Sequence, residues 1–223
     1  MKKKIFWIAS YPKSGNTWMR AIIASLFYSN DGIFNFKLFE NIRDFERKEN
    51  YKFVKSLNNS DFNNLNDINI ISKYRLEAQK RTKIIIGDFA FFKTHSANIT
   101  INNYMYTSEE TTLGLIYIIR DPRDIVVSYA KHKAVTHNKI INLVLSETSI
   151  YNKSCPQILS SWNHHYNSWI GLKVPKLIIK YEEGKFLKFT NRLHPTGELL
   201  NTIPALDLLQ TSELSKWGTI GSF

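Results

Sequence analysis

The sequence predicts an α/β fold in three layers: a central parallel sheet with helices on both faces. Three observations predict it. Short apolar runs at residues 5–9, 115–119 and 177–179 have the length and unbroken hydrophobicity of strands buried on both faces. Between them lie stretches whose apolar residues recur at helical spacing. The polar residues Lys13, Lys93, His95, Arg120 and Tyr181 all fall just past a predicted strand end, where open α/β sheets gather their ligands.

The first strand, Ile5-Phe6-Trp7-Ile8-Ala9, passes directly into Ser10-Tyr11-Pro12-Lys13-Ser14-Gly15-Asn16-Thr17-Trp18. From residue 17 to 28, Trp18, Met19, Ile22, Ile23, Leu26 and Phe27 mark one apolar helix face. A strand, a short loop and a helix start, in that order, make an anion site. The first helical N–H groups have no partner within the helix, and the helix end carries partial positive charge. Lys13 adds a mobile cation, Ser14 and Thr17 add hydroxyls, and Trp18 adds an aromatic face. The expected ligand is phosphorylated and nucleotide-like.

Residues 30–50 mix Asn, Asp, Gly and aromatics without a clear period. Ser60 or Asp61 is expected to cap a helix running toward Lys80. Residues 84–86 and 89–92 are β-prone, the second run leading into Lys93-Thr94-His95. The run at 115–119 ends in Arg120-Asp121-Pro122. Asp121 suits a helix cap and Pro122 the first helical turn, so a helix is expected to about Ala134. Residues 157–170 read as another helix, and 177–179 as a third buried strand ending at Lys180-Tyr181-Glu182. Beyond Glu183 the pattern weakens, although 199–209 keeps helical spacing.

At 223 residues, with 43% hydrophobic and 22% charged content, the chain suits one globular domain over 1–223. The lone cysteine, Cys155, excludes an intrachain disulfide and points to a reducing, cytoplasmic setting. The apolar run after Met1 is too short for a signal peptide, and no run approaches a membrane span. A net charge of +11 suits a polyanionic ligand, and equally nucleic acid or an acidic membrane. The basic residues are dispersed, however, and a solvated basic surface explains most of them. His132, His137, His164 and His165 show no metal-ligand spacing.

The segment Tyr11-Pro12-Lys13-Ser14-Gly15-Asn16-Thr17-Trp18 resembles the 5′-phosphosulfate loop of the cytosolic-type sulfotransferases, which use 3′-phosphoadenosine 5′-phosphosulfate (PAPS). The family commonly has Thr where this chain has Asn16. Arg120-Asp121-Pro122-Arg123-Asp124-Ile125-Val126-Val127-Ser128-Tyr129 is similar to the 3′-phosphate motif, Lys93-Thr94-His95 to the catalytic segment, and Lys180-Tyr181-Glu182-Glu183 to the turn near the adenine. The four segments occur in family order. The resemblance implies a P-loop NTPase-like sulfotransferase fold, with His95 as general base and Lys93 and Lys13 balancing charge. It further implies that Lys13, Ser14, Gly15, Asn16 and Thr17 cradle the 5′ end, Trp18 and Tyr181 flank adenine, and Arg120 and Ser128 hold the 3′-phosphate. No metal is implied, since Lys and Arg supply the positive charge. The acceptor would be a small molecule, a glycan or a lipid, with no nucleic acid expected; its class and the oligomeric state are not legible.

The family's later Arg-Lys-Gly segment, which closes over the nucleotide, has no counterpart after residue 184. The C-terminal stretch is therefore expected to diverge or be incomplete, with weaker cofactor binding as the consequence. Two other functions share part of the pattern. A P-loop kinase would require Gly-x4-Gly-Lys-Ser/Thr, which is missing, because here the lysine precedes the glycine. A non-catalytic nucleotide or RNA binder built on the same scaffold would suit the positive charge.

Overall fold

The computed structural model describes residues 5–84, 89–148, 150–151 and 155–184. Strand β1 (Ile5–Ser10) is buried at every position, as its apolar run requires. Helix α1 (Asn16–Tyr28) follows the loop. A 3-10 turn (Phe36–Glu40), strand β2 (Arg43–Asp44) and a second 3-10 turn (Lys48–Tyr51) occupy the region that had no clear period. Four short helices come next: α2 (Val54–Leu57), α3 (Asn59–Asn63), α4 (Ile68–Ser72) and α5 (Arg75–Lys80). Strands β3 (Ala90–Thr94) and β4 (Thr112–Ile119) complete the sheet centre. Then come α6 (Pro122–Lys133), α7 (His137–Leu145), a small hairpin of β5 (Ile150–Tyr151) with β6 (Gln157–Ile158), α8 (Trp162–Ile170), β7 (Lys176–Lys180) and α9 (Tyr181–Gly184).

The main sheet is parallel, in the order β2-β3-β1-β4-β7. The alternating sides of β1 divide the core. Ile5, Trp7 and Ala9 pack with residues of α2 to α5 and α8, including Val54, Ile71, Ala78 and Trp169. Phe6 and Ile8 pack with Met19, Ile23 and Ala24 of α1. Helices thus cover both faces, as the sequence predicts. Because β1 sends the chain first to β3 on one side and later to β4 on the other, the crevice at its carboxyl end is the topological switch point.

Several local expectations are corrected. The helix expected from Ser60 or Asp61 to Lys80 is three short helices. Two of them have side-chain caps: Asn58, whose side chain accepts from Asp61 N–H, and Asp67, which accepts from Asn69 N–H. Asp61 instead accepts from the Tyr74 hydroxyl at 2.8 Å. The helix expected at 157–170 begins only at Trp162, capped by Ser161. Gln157 and Ile158 pair with β5, and Ser160 has a left-handed φ of 58° that breaks the helical path. Helix α7 was not anticipated. Strand β7 lies at the end of the strand order with Ile178 exposed, so it is not the doubly buried strand its composition suggests. Residues 85–86 and the helical stretch at 199–209 lie outside the described residues.

The Phe6 ring lies across Gly114, its partner on β4. A Cβ at Gly114 would meet Phe6 Cε1 at 2.4 Å. Phe6 is itself wedged between Phe89 and Phe91 at centroid distances of 5.1 and 5.4 Å, so it has nowhere to turn. Gly114→Ala should therefore destabilise the fold by about 1–3 kcal/mol in urea unfolding, the typical result of overpacking. An unchanged midpoint would show that the ring relaxes freely.

Candidate active site

Sheet register assembles the site. Asp44 lies opposite Lys93, and Ala9 opposite Thr94, so Ser10 comes next to His95. Ile119 lies opposite Lys180, so Arg120 comes next to Tyr181. Residues far apart in sequence are neighbours because five parallel strands end at one edge.

The loop after β1 is shaped by two left-handed residues, Lys13 at φ 68° and Gly15 at φ 95°. Glycine is required at 15 for a second reason: a Cβ there would meet the Tyr181 ring at 2.5 Å. Gly15 caps α1 without a side-chain hydrogen bond, and the first turn of α1 holds no acidic residue. The N–H groups at this helix start therefore retain their donor capacity and positive potential. The Ser14 hydroxyl oxygen is buried without a partner, and the Lys13 ammonium has no ion-pair partner among the described residues. A buried orphan hydroxyl, unpaired helix donors and an unneutralised cation fit an anionic ligand end.

Asn16 turns inward instead. Its Nδ2 donates to the Ile8 carbonyl at 3.0 Å and to the Ser10 hydroxyl at 3.1 Å. Its Nδ2 is thereby spent, and its backbone N–H is the donor left for an anion. Thr17 is exposed and Trp18 half-buried, packed with Tyr181 on the rim of the cluster beneath α1.

Arg120 braces this loop. Its Nη1 donates to the Lys13 carbonyl at 2.7 Å, its guanidinium lies 4.3 Å from the Tyr181 ring centroid, and its Nη2 is 3.7 Å from Asp124. Its Nε is buried without a partner among the described residues. Ser128 follows Asp124 by one turn on the same side of α6 and is half-buried. Asp121 caps α6, and its own N–H donates to Glu182 at 3.0 Å, tying the turn that carries Tyr181 to the turn that carries Arg120. Arg123 points to solvent, paired with Asp121.

His95 Nδ1 sits 2.7 Å from the Ser10 carbonyl oxygen. A carbonyl can only accept, so Nδ1 carries the proton and Nε2 keeps the lone pair. No hydrogen-bond partner to Nε2 occurs among the described residues. Burial, and then the neighbouring Lys93 charge, hold the His95 pKa well below its ordinary 6.5. The His95 carbonyl in turn accepts from His165 Nε2 at 3.1 Å, and His165 Nδ1 accepts from the Tyr117 hydroxyl at 2.8 Å. His165 is fully buried, with its pKa pushed by burial down to about 4. Lys93 pairs with Asp44 at 3.0 Å, both side chains being mostly buried.

Sequence reading missed Ser10, Asp44, Glu46, Gln157 and Tyr106, and gave His165 no role. Glu46 is buried and accepts from Thr94, Ser96 and Tyr106 at 2.8, 2.8 and 2.7 Å, and from Gln157 at 3.0 Å. Burial and the nearby Asp44 raise its pKa. Nothing in the local pattern marks the two acids: β2 is only Arg43–Asp44, and Glu46 lies beyond it. Among the described residues no His, Cys, Asp and Glu side chains cluster to hold a metal ion, and no helix is long and apolar enough to cross a membrane.

The profile of a family described as the sulfotransferase domain matches residues 3–185, most of the chain and all of this site. The chain belongs to the sulfotransferase domain family. No curated protein matches it significantly. A sulfotransferase works on a sulfonate donor, and the anion-ready loop beside a basic imidazole is consistent with that.

Both buried imidazoles give stability a pH dependence of definite sign. Their folded values lie below the ordinary 6.5, so the unfolded chain binds protons first as pH falls. Their contribution is complete above pH 6.5 and is lost as pH drops from 6.5 toward about 4 for His165. Urea unfolding at pH 7 and pH 5 should differ by about 1–2 kcal/mol through His165 alone. His165→Gln, which can still donate to the His95 carbonyl, should flatten the profile. An equally steep profile in that variant would contradict the assignment.

Proposed function

We propose that this sulfotransferase moves a sulfuryl group from PAPS to a hydroxyl or amine acceptor, with His95 as general base. The observation that carries the reading is the Nδ1–H bond from His95 to the Ser10 carbonyl at the root of the anion loop. It fixes the tautomer, leaving Nε2 basic, and its depressed pKa keeps the imidazole unprotonated at neutral pH. PAPS supplies the sulfuryl group and a stable bisphosphate leaving group.

The chain's own residues take the other roles. Lys13, the N–H groups of Gly15, Asn16 and Thr17, and the Ser14 and Thr17 hydroxyls hold the 5′ end and stabilise charge on the departing oxygens, while the Ser14 N–H is committed to the Tyr11 carbonyl at 3.3 Å. Arg120 and Ser128 take the 3′-phosphate; the unpartnered Nε of Arg120 supports this, although its Nη1 is already committed to the loop. Trp18 and Tyr181 border the adenine. Lys93 places positive charge beside the reacting groups, so positioning and electrostatics carry the catalysis. A small molecule, glycan or lipid serves as acceptor, in the cytoplasm, and residues 1–223 act as one domain. The family's Arg-Lys-Gly lid segment has no counterpart in the sequence after residue 184, so weaker bisphosphate binding is expected.

Calorimetry with adenosine 3′,5′-bisphosphate and transfer of sulfur-35 from labelled PAPS to a panel of acceptors test the proposal together. Lys13→Ala should weaken bisphosphate binding by about 10–100-fold, the worth of a hydrogen bond to a charged group. His95→Ala should bind the bisphosphate as wild type does and lose transfer by about 100-fold or more. Absence of bisphosphate binding by the wild type, or undiminished transfer by His95→Ala, would overturn the assignment.

A further inference from the structure

The residues around His95 are held from one direction. Asp44 Oδ2 pairs with Lys93 at 3.0 Å, while its Oδ1 accepts from Gln157 at 3.2 Å. Two residues on, Glu46 Oε1 accepts from Thr94 and Ser96, the residues on either side of His95. Tyr106 bridges the same group, its hydroxyl donating to Glu46 and lying 2.7 Å from the Thr94 hydroxyl. The Asp44-Phe45-Glu46 segment therefore grips three of the four residues from 93 to 96. The fourth, His95, is held by Ser10 and His165.

Asp44 differs from an ordinary surface partner in two ways. Its side chain is 15% exposed and that of Lys93 10%, so water screens the pair little. Its register opposite Lys93 is set by the sheet, so the carboxylate is in place before any ligand arrives. An ammonium on a four-carbon stem has many rotamers, and a fixed carboxylate selects one. Its removal would take from the mostly buried Lys93 a carboxylate 3.0 Å from its ammonium.

We propose that Asp44 is a positioning residue for sulfuryl transfer: its carboxylate, anchored by Gln157, holds the Lys93 ammonium beside His95. This rests on the reading of Lys93 and His95 as the reacting groups. Asp44 acts through Lys93 and does not touch substrate. A general stabilising role would cost activity whatever stood at position 93, whereas a positioning role acts only while Lys93 is present.

Two readouts test it on the intact protein. The first is independent of activity. In protein labelled with nitrogen-15 lysine, the Lys93 ammonium should give a slowly exchanging resonance, assigned by its loss in Lys93→Met, and Asp44→Asn should abolish it. Persistence of that resonance in Asp44→Asn overturns the proposal. The second is a kinetic cycle. Asp44→Asn should lower kcat about tenfold with acceptor KM nearly unchanged, a coupling typical of contacting residues. In the Lys93→Met background the same change should cost nothing more. Equal losses in both backgrounds overturn the proposal while leaving sulfotransfer intact. A wild type that shows the resonance and binds bisphosphate yet sulfates no acceptor overturns the functional reading, and with it a role for Asp44 in transfer. Should Asp44→Asn fail to fold, Asp44→Glu carries the test: with the charge kept, the resonance should remain and kcat recover most of the wild-type value. Its loss in a folded Asp44→Glu protein counts against the proposal.

Discussion

The carboxyl end of β1 is the constraint on which the site depends. Ser10 closes the central strand, and its two oxygens are already taken. The carbonyl accepts from His95 at 2.7 Å and the hydroxyl accepts from Asn16 at 3.1 Å. One residue thus fixes the imidazole from β3 and the start of α1 with respect to each other. The reason is general: a buried backbone acceptor at the end of a strand must find a donor, and here the donor is the His95 imidazole. The anion loop and His95 meet because they share one strand end.

Charge is distributed around that end in a definite way. On the α1 side stand Lys13, Arg120 and an uncapped helix start; on the β2 side stand the acids Asp44 and Glu46. Buried charges persist only where they are paired and hydrogen-bonded. Glu46 has three hydroxyls and an amide around it, and Arg75, buried nearby, donates to the Pro156 carbonyl and lies 4.9 Å from the Tyr106 ring centroid. The acidic side holds Lys93, Thr94 and Ser96, while on the basic side the Ser14 hydroxyl and Arg120 Nε have no partner among the described residues.

What the sequence disclosed follows from the range of each signal. Strand β1, helix α1 and the Asp121-Pro122 helix start are written in adjacent residues, and all three stand where the sequence puts them. Lys13, His95 and Arg120 were found because each follows a strand. Their convergence on one edge was inferred; the structure places His95 against Ser10 and Arg120 against the Lys13 carbonyl. Asp44, Glu46 and Gln157 stayed hidden for a physical reason. They are polar residues buried by partners 48 to 113 positions away, and in sequence they look like surface. Strand β2 is two residues long, too short for any period. Gln157 was read into a helix because residues 157–170 carry apolar residues throughout, a pattern that cannot separate a short strand from the helix that follows it.

Nitrogen-15 NMR of the His95 imidazole, recorded while adenosine 3′,5′-bisphosphate is added, tests the shared surface most directly. Before addition, Nδ1 should carry the proton and Nε2 the lone pair; on addition, both His95 resonances should shift in the wild type and stay fixed in Lys13→Ala at the same ligand concentration. A proton on Nε2, or His95 resonances unmoved at saturating bisphosphate, would contradict a site in which loop and base act together.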